Sequence, residues 1–276
     1  MTNTRKFLFV DLDETLLTSD KRIDGRDLEA INEMLDKGHC FAFVTGRPYP
    51  DAISVAERYR IVRDGFYIAS YNGAQINNPV TGDLLYASPV SKDDVRLIFD
   101  LAKEQGVHCQ TYNRNYVIAT EGKDIVDIYL KGKVMEPLMV DTIDDVITSL
   151  TGPTMKVVCM EIDDRPKLQR FRDHITPLLP PHLNTFFSSD RILEISAADS
   201  SKGTGLRRLC EICNIPVADS IGAGDEENDL PLLEAAGLGV AMANARDNVK
   251  TAADAVTEHD NNHGGIAEII YKYILD

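Results

Sequence analysis

Four short stretches of this chain hold side chains that could do chemistry together. Near the N-terminus two aspartates stand one residue apart in Asp11-Leu12-Asp13, followed by Glu14 and Thr15. A hydroxyl comes next in Thr45-Gly46-Arg47, then a lysine in Ser201-Lys202-Gly203. Last come acids and an amide in Gly224-Asp225-Glu226-Glu227-Asn228-Asp229. Carboxylates gathered at one point call for a cation, and a lysine, a hydroxyl and an amide offer grip on an anion. Each stretch also has an ordinary reading. An aspartate after a strand commonly caps the next helix, and Ser201 suits an N-cap with Lys202 in the first turn. Thr45-Gly46 suits a plain turn, and the acids from Asp225 to Asp229 suit a helix N-terminus through its dipole. Taken singly, these readings hold. They give way only if the four stretches meet, which depends on the elements that carry them.

Residues 6–10, apolar from Phe7 onward, and 41–44 are short apolar runs, as expected of strands buried on both faces of a parallel sheet, and 66–70 reads as a third strand. Between them, 26–37 has apolar residues at 28, 31, 34 and 35, a helical stripe that Gly38 can end, and 50–59 reads as a second helix. From about residue 82 to 195 the pattern changes. A helix over 91–105 starts on Ser91, strands 110–112 and 116–120 flank a turn, and strand 155–162, helix 166–179 and strand 191–196 follow. The first rhythm then returns, with helix 202–213, strand 218–221, helix 230–236, strand 239–242, a short helix over 249–253 and a closing helix over 266–275. This predicts an α/β fold: a Rossmann-like, doubly wound parallel sheet core from 1–85 and 197–276, with an inserted α+β cap domain from 86–196. Ligands of open parallel sheets lie beyond the carboxyl ends of the strands, and all four stretches fall there.

The chain has 276 residues, 43% of them hydrophobic and 26% charged, ordinary globular values that argue against a disordered or fibrous chain. Its 44 acidic and 29 basic residues give a formal charge of −15. Without a basic patch, such a surface predicts neither a nucleic-acid nor a membrane partner. The apolar run at 7–10 is too short for a signal sequence or a membrane span, so a cytoplasmic protein is expected. Cysteines 40, 109, 159, 210 and 213 read as reduced thiols, and Cys210-x-x-Cys213 as packing rather than a redox or zinc pair. His259 and His263 lie in an Asn/Gly-rich stretch and read as a solvated turn. Tyr112, Arg114, Asn115 and Tyr116 read as an exposed polar turn at a hairpin tip.

In combination and order, the four stretches resemble the motifs of the haloacid dehalogenase-like (HAD) phosphohydrolases, specifically the Cof-type branch with a large inserted α/β cap. Gly239-Val240-Ala241-Met242-Ala243-Asn244-Ala245 and Ala253-Asp254 resemble that branch as well. The resemblance implies a phosphatase of small phosphorylated metabolites, sugar phosphates first. It implies Asp11 as the nucleophile that forms an aspartyl-phosphate, and Asp13 as the acid that protonates the leaving group and then activates water. Magnesium (Mg2+) would be held by the Asp11 carboxylate, the Asp13 carbonyl and Asp225, with Asp229 near or behind them. Thr45 and Asn228 would bond the phosphoryl oxygens, with Gly46 in the same loop, and Lys202 would neutralise their charge. Arg47 is a further candidate for the substrate's phosphate or leaving group. The inserted domain would act as a lid. Glu14 departs from the resemblance, standing where glycine is usual, and Glu226 and Glu227 add charge to the fourth stretch.

Elementary electrostatics points the same way. A phosphate meeting carboxylates faces about 4 kcal/mol of repulsion per charge pair at about 4 Å and an effective dielectric of about 20. One lysine does not offset several such terms, whereas a divalent cation with oxygen ligands does. A phosphomutase, which returns the phosphoryl group to substrate, remains an alternative, as does a phospho-accepting signalling module. Phosphate release separates the first from a phosphatase, and a long-lived phosphoaspartate would mark the second. The oligomeric state stays open between monomer and small homo-oligomer.

Overall fold

Phe7–Val10 lies inside an eight-stranded sheet in the computed structural model, which describes residues 5–275. Neighbouring side chains of this strand enter different cores. Leu8 and Val10 join Phe41 and Phe43 on one face, and Phe7 and Phe9 join Cys40 and Ala42 on the other. With both faces covered the strand has no polar side, which is why its sequence does not alternate. The strand order is Ala255–Val256, Leu238–Ala241, Ser220–Gly224, Phe7–Val10, Cys40–Val44, Phe66–Ser70, Gln75–Asn78 and Asp83–Ala87. The first six run parallel. Gln75–Asn78 then returns antiparallel to Phe66–Ser70. The chain divides into two compact units, one made of the chain up to Tyr86 with that from Ser201 onward, the other Ala87–Ser200.

The second unit holds a six-stranded sheet ordered Leu183–Ser189, Ile192–Ala197, Lys156–Met160, His108–Tyr112, Tyr116–Ala119 and Glu136–Met139. Its pairings are antiparallel except the last, which is parallel. Helices Lys92–Glu104 and Arg165–Ile175 pack Ile98, Phe99, Phe171 and Ile175 into one core with Val157, Cys159, Leu193 and Ile195 of the sheet. Ser91 caps the first of these helices, accepting from the Asp94 backbone N at 3.1 Å.

Several expectations need correction. Tyr112 is not in an exposed turn: it is 1% exposed, and its hydroxyl accepts from Gln110 Nε2 at 3.3 Å. Arg114 and Asn115 are the exposed pair at that tip. The closing helix is shorter than expected, Gly265–Ile270, and continues as a wider π turn over Tyr271–Leu275. Gln75–Asn78 and Asp83–Ala87 extend the first sheet where no strand was predicted. Cys109 and Cys159 face each other across paired strands with Sγ atoms 3.8 Å apart. Among the described residues no helix is long and apolar enough to cross a membrane.

Asp27, on helix Gly25–Asp36, is fully buried and ties that helix to the last one, its Oδ1 accepting from the Ala267 backbone N at 2.7 Å. Its Oδ2 has no partner. Burial outweighs the backbone bonds and pushes its pKa up to about 7 from an ordinary 3.8. The folded state therefore keeps this proton to higher pH than the unfolded chain. The contribution is full below about pH 4 and is lost as pH rises through about 7. Asp27→Asn is expected to shrink the fall in melting temperature between about pH 5 and about pH 8. Thermal unfolding at both pH values checks this, and an unchanged fall would remove Asp27 as its source.

Candidate active site

Parallel register brings the ends of the central strands level. Val10 pairs with Ala223 on one side and Phe43 on the other, and Val44 pairs with Ala69. The residues that follow, Asp11, Thr45, Tyr71 and Asp225, therefore leave the sheet along one edge. Lys202 reaches that edge on helix Lys202–Ile212, which Ser201 caps by accepting from Thr204 N at 3.1 Å. Gly203 lets this helix approach its neighbour, since a Cβ there would collide with the Pro231 carbonyl. Gly224 is required for a similar reason: a Cβ at that position would overlap the Asp229 carboxylate.

At this edge the Lys202 ammonium, fully buried, lies 2.7 Å from Asp11 Oδ1 and 2.5 Å from Asp229 Oδ1. Asp229 Oδ2 accepts from the backbone N of Asp225 and of Glu226, both at 3.0 Å. Asp225 Oδ1 accepts a short bond from the buried Thr15 hydroxyl. Carboxylate oxygens of Asp11, Asp225 and Asp229 lie within 4.8 Å of one another, the one group of this kind among the described residues. Burial pushes Asp11 up to about 7 against the pull of Lys202, and burial pushes Asp225 up to about 7 against the bond from Thr15. For Lys202, burial would depress the pKa, but the charges of Asp11 and Asp229 outweigh it and hold it above the ordinary range.

The donor set fits a hard divalent cation. Three buried carboxylates face one ammonium, leaving two negative charges without a counter-charge when all are ionised. Burial is the main cause of the raised pKa values of Asp11 and Asp225, and repulsion from Asp229 adds to it at both. Oxygen-only ligation with few protein groups suits magnesium, which keeps much of its water.

Asp13 turns elsewhere. Its side chain is 44% exposed and receives Arg47 in a fork, Nε to Oδ2 at 2.8 Å and Nη2 to Oδ1 at 2.6 Å. Burial would raise its pKa, yet Arg47 and Lys21 together lower it to about 2. Thr45 is buried, and its hydroxyl accepts from Arg47 N at 3.2 Å. Asn228 is exposed in the turn Glu227–Asp229. The three extra acids point to partners of their own: Glu14 to Lys21, Glu226 to Arg246, and Glu227 to Asn248. His259 and His263 pair through Nδ1 with Glu268 and Asp260 at 3.0 and 2.6 Å.

Two features of this edge were missed in the sequence. Thr15 stands inside the first motif, but nothing local shows that it bonds Asp225. After Phe66–Ser70 the chain turns through three consecutive positive φ angles, Tyr71 at 52°, Asn72 at 55° and Gly73 at 86°. There Asn72 N donates to Thr45 O at 2.8 Å, Tyr71 N donates to Arg47 O at 3.1 Å, and the Asn72 amide lies against Gly46. The Asn-Gly pair was the available signal, because both tolerate left-handed backbone.

With this geometry in hand, the comparisons decide the family. The family profile described as haloacid dehalogenase-like hydrolase matches residues 8–270. The chain belongs to the haloacid dehalogenase-like hydrolases. It is 26% identical over 277 residues to the 5-amino-6-(5-phospho-D-ribitylamino)uracil phosphatase YitU of Bacillus subtilis, covering 98% of each chain. It is 27% identical over 284 residues to the pyridoxal phosphate phosphatase YbhA of Escherichia coli, covering 99% of this chain and all of that one. A crystal structure of a haloacid dehalogenase-like hydrolase from Bacteroides thetaiotaomicron superposes with a TM-score of 0.89 at 28% identity, over 98% of this chain and 99% of that one. The expected enzyme class, a phosphatase of this family, agrees with these relatives.

Proposed function

We propose that this hydrolase is a magnesium-dependent phosphomonoesterase of small phosphorylated metabolites, sugar phosphates foremost, working through an aspartyl-phosphate on Asp11. The observation that carries the reading is the buried Lys202 ammonium shared between Asp11 and Asp229, inside a group of three carboxylates. The two relatives named above act on phosphorylated metabolites by name. The sugar-phosphate preference rests on the resemblance of the motifs.

Asp11 and Asp225 would hold the magnesium through their carboxylates and Asp13 through its carbonyl. Asp229, whose oxygens already serve Lys202 and two backbone N–H groups, would act behind them. When bound, magnesium would offset the negative charge of the carboxylates and the phosphoryl group. An Asp11 oxygen attacks phosphorus, the ester P–O bond breaks, and Asp13 would protonate the departing oxygen, for which it has first to bind a proton against the pull of Arg47 and Lys21 that holds it at about 2. Water then attacks the phosphorus and passes a proton to Asp13, releasing phosphate and restoring the Asp11 carboxylate. Lys202 favours the ionised form of Asp11 against the effect of its burial and would face the phosphoryl oxygens, to which Thr45 and Asn228 would donate. Arg47 would steady Asp13 and the leaving group.

Exhaustive chelation is expected to abolish phosphate release from a panel of phosphorylated metabolites and to lower the melting temperature. Magnesium at about a hundred times its Kd should restore both, contributing about 2.7 kcal/mol of stability. Full turnover after chelation would overturn the metal requirement.

A further inference from the structure

The turn Tyr71-Asn72-Gly73 touches both of the loops that would grip the phosphoryl group. Toward the first, Asn72 N donates to Thr45 O at 2.8 Å and Tyr71 N donates to Arg47 O at 3.1 Å, so the two bonds bracket Gly46. The Asn72 carboxamide covers Gly46 itself: a Cβ there would stand 3.2 Å from Oδ1 and 3.5 Å from Nδ2. Toward the second, Gly73 lies against the start of helix Lys202–Ile212. A Cβ on Gly73 would collide with the Ser201 carbonyl and come within 3.0 Å of Gly205 N. Tyr71 and Asn72 take up left-handed backbone to make this turn, φ 52° and 55°, which side chains rarely adopt. Asn72 Oδ1 is buried and accepts no hydrogen bond among the described residues. A strained backbone and a buried carbonyl oxygen without a donor both cost stability, so the carboxamide at Gly46 points to a use other than stability.

We propose that Asn72 is a positioning residue whose carboxamide braces Gly46, fixing the Thr45–Gly46 peptide and with it the Thr45 hydroxyl for the phosphoryl group. This rests on Thr45 being a phosphoryl-binding residue of the reaction proposed above. The sheet already sets one side of Thr45, which is buried and whose N donates to Ala69 O at 2.9 Å. Its other side leads into a glycine, which brings no side chain of its own to hold the backbone still. The brace therefore comes from outside the loop, and the turn that supplies it also rests on the helix carrying Lys202. Its effect belongs to orientation.

The test removes the carboxamide and keeps the turn. Asn72→Gly accepts the same φ and leaves both backbone bonds in place, so its melting temperature should stay within a few degrees of the unaltered protein's. With magnesium present, its kcat/KM for p-nitrophenyl phosphate should fall about tenfold, and its Ki for inorganic phosphate should rise about fivefold. The deciding readout is coupling to Thr45→Val, which deletes the hydroxyl and keeps the shape of the side chain. In the Thr45→Val background, Asn72→Gly should cost less than about threefold, because the group it positions is already gone. Equal losses in both backgrounds, no loss in the single variant, or collapse of the fold would overturn the positioning role and leave the phosphatase reading intact. Full activity of Thr45→Val would overturn it as well, by removing the group that Asn72 is to position. No phosphate released by the unaltered protein from any of a panel of phosphate esters, with magnesium present, overturns both.

Discussion

Asp11→Asn should give a folded protein that releases phosphate about four or more orders of magnitude more slowly than the unaltered enzyme. The amide keeps the shape of the carboxylate, and its carbonyl oxygen can still accept from Lys202, which now lies 2.7 Å from Asp11 Oδ1. It does not supply the nucleophile. Because Asp11 is one of three buried carboxylates around a single ammonium, removing its charge also relieves repulsion. Without metal the variant should therefore melt no lower than the unaltered protein. Loss of turnover together with collapse of the fold would point instead to a structural role, and the melting curve separates the two.

Lys202→Met should have the largest effect on stability. Lys202 is the only cation within ion-pair distance of Asp11 or Asp229 among the described residues, and all three side chains are buried. Removing one partner of such a group strands charge in a poor solvent, which costs about 3–5 kcal/mol. Part of this should return with magnesium, since the cation and the ammonium relieve the same carboxylates. Turnover should fall about a hundred- to a thousandfold through lost stabilisation of the phosphoryl charge. Thermal unfolding with and without magnesium checks the first claim. A melting temperature unchanged without metal would mean that the carboxylates are neutral in the folded protein.

Legibility in the sequence followed burial. The strands Phe7–Val10 and Cys40–Val44, covered on both faces, read as unbroken apolar runs and were found. Gln75–Asn78 has polar side chains at three of its four positions and joins the sheet through backbone pairing that no side-chain pattern reveals. Lys123–Leu130 and Ile143–Ser149 are short helices, with too few turns for a clear stripe. Tyr112 was misplaced because its neighbours Asn113, Arg114 and Asn115 dominate the local polarity, while its own strand position turns it inward. At the site, the motif order located Asp11, Lys202, Asp225 and Asp229, whose side chains the fold then brings together. Which partner each acid takes was not legible. Arg47 and Lys21 on Asp13, Thr15 on Asp225 and Asn72 behind Gly46 join residues far apart in the chain or on opposite sides of a turn.

The most direct measurement is an acid-quenched single turnover of a phosphate ester with magnesium present, followed by proteolysis and mass spectrometry of the peptides. A phosphoryl group on the peptide containing Asp11, absent in Asp11→Asn, is the predicted result. Phosphate released with no peptide labelled at any quench time, or a label on another residue, would contradict it.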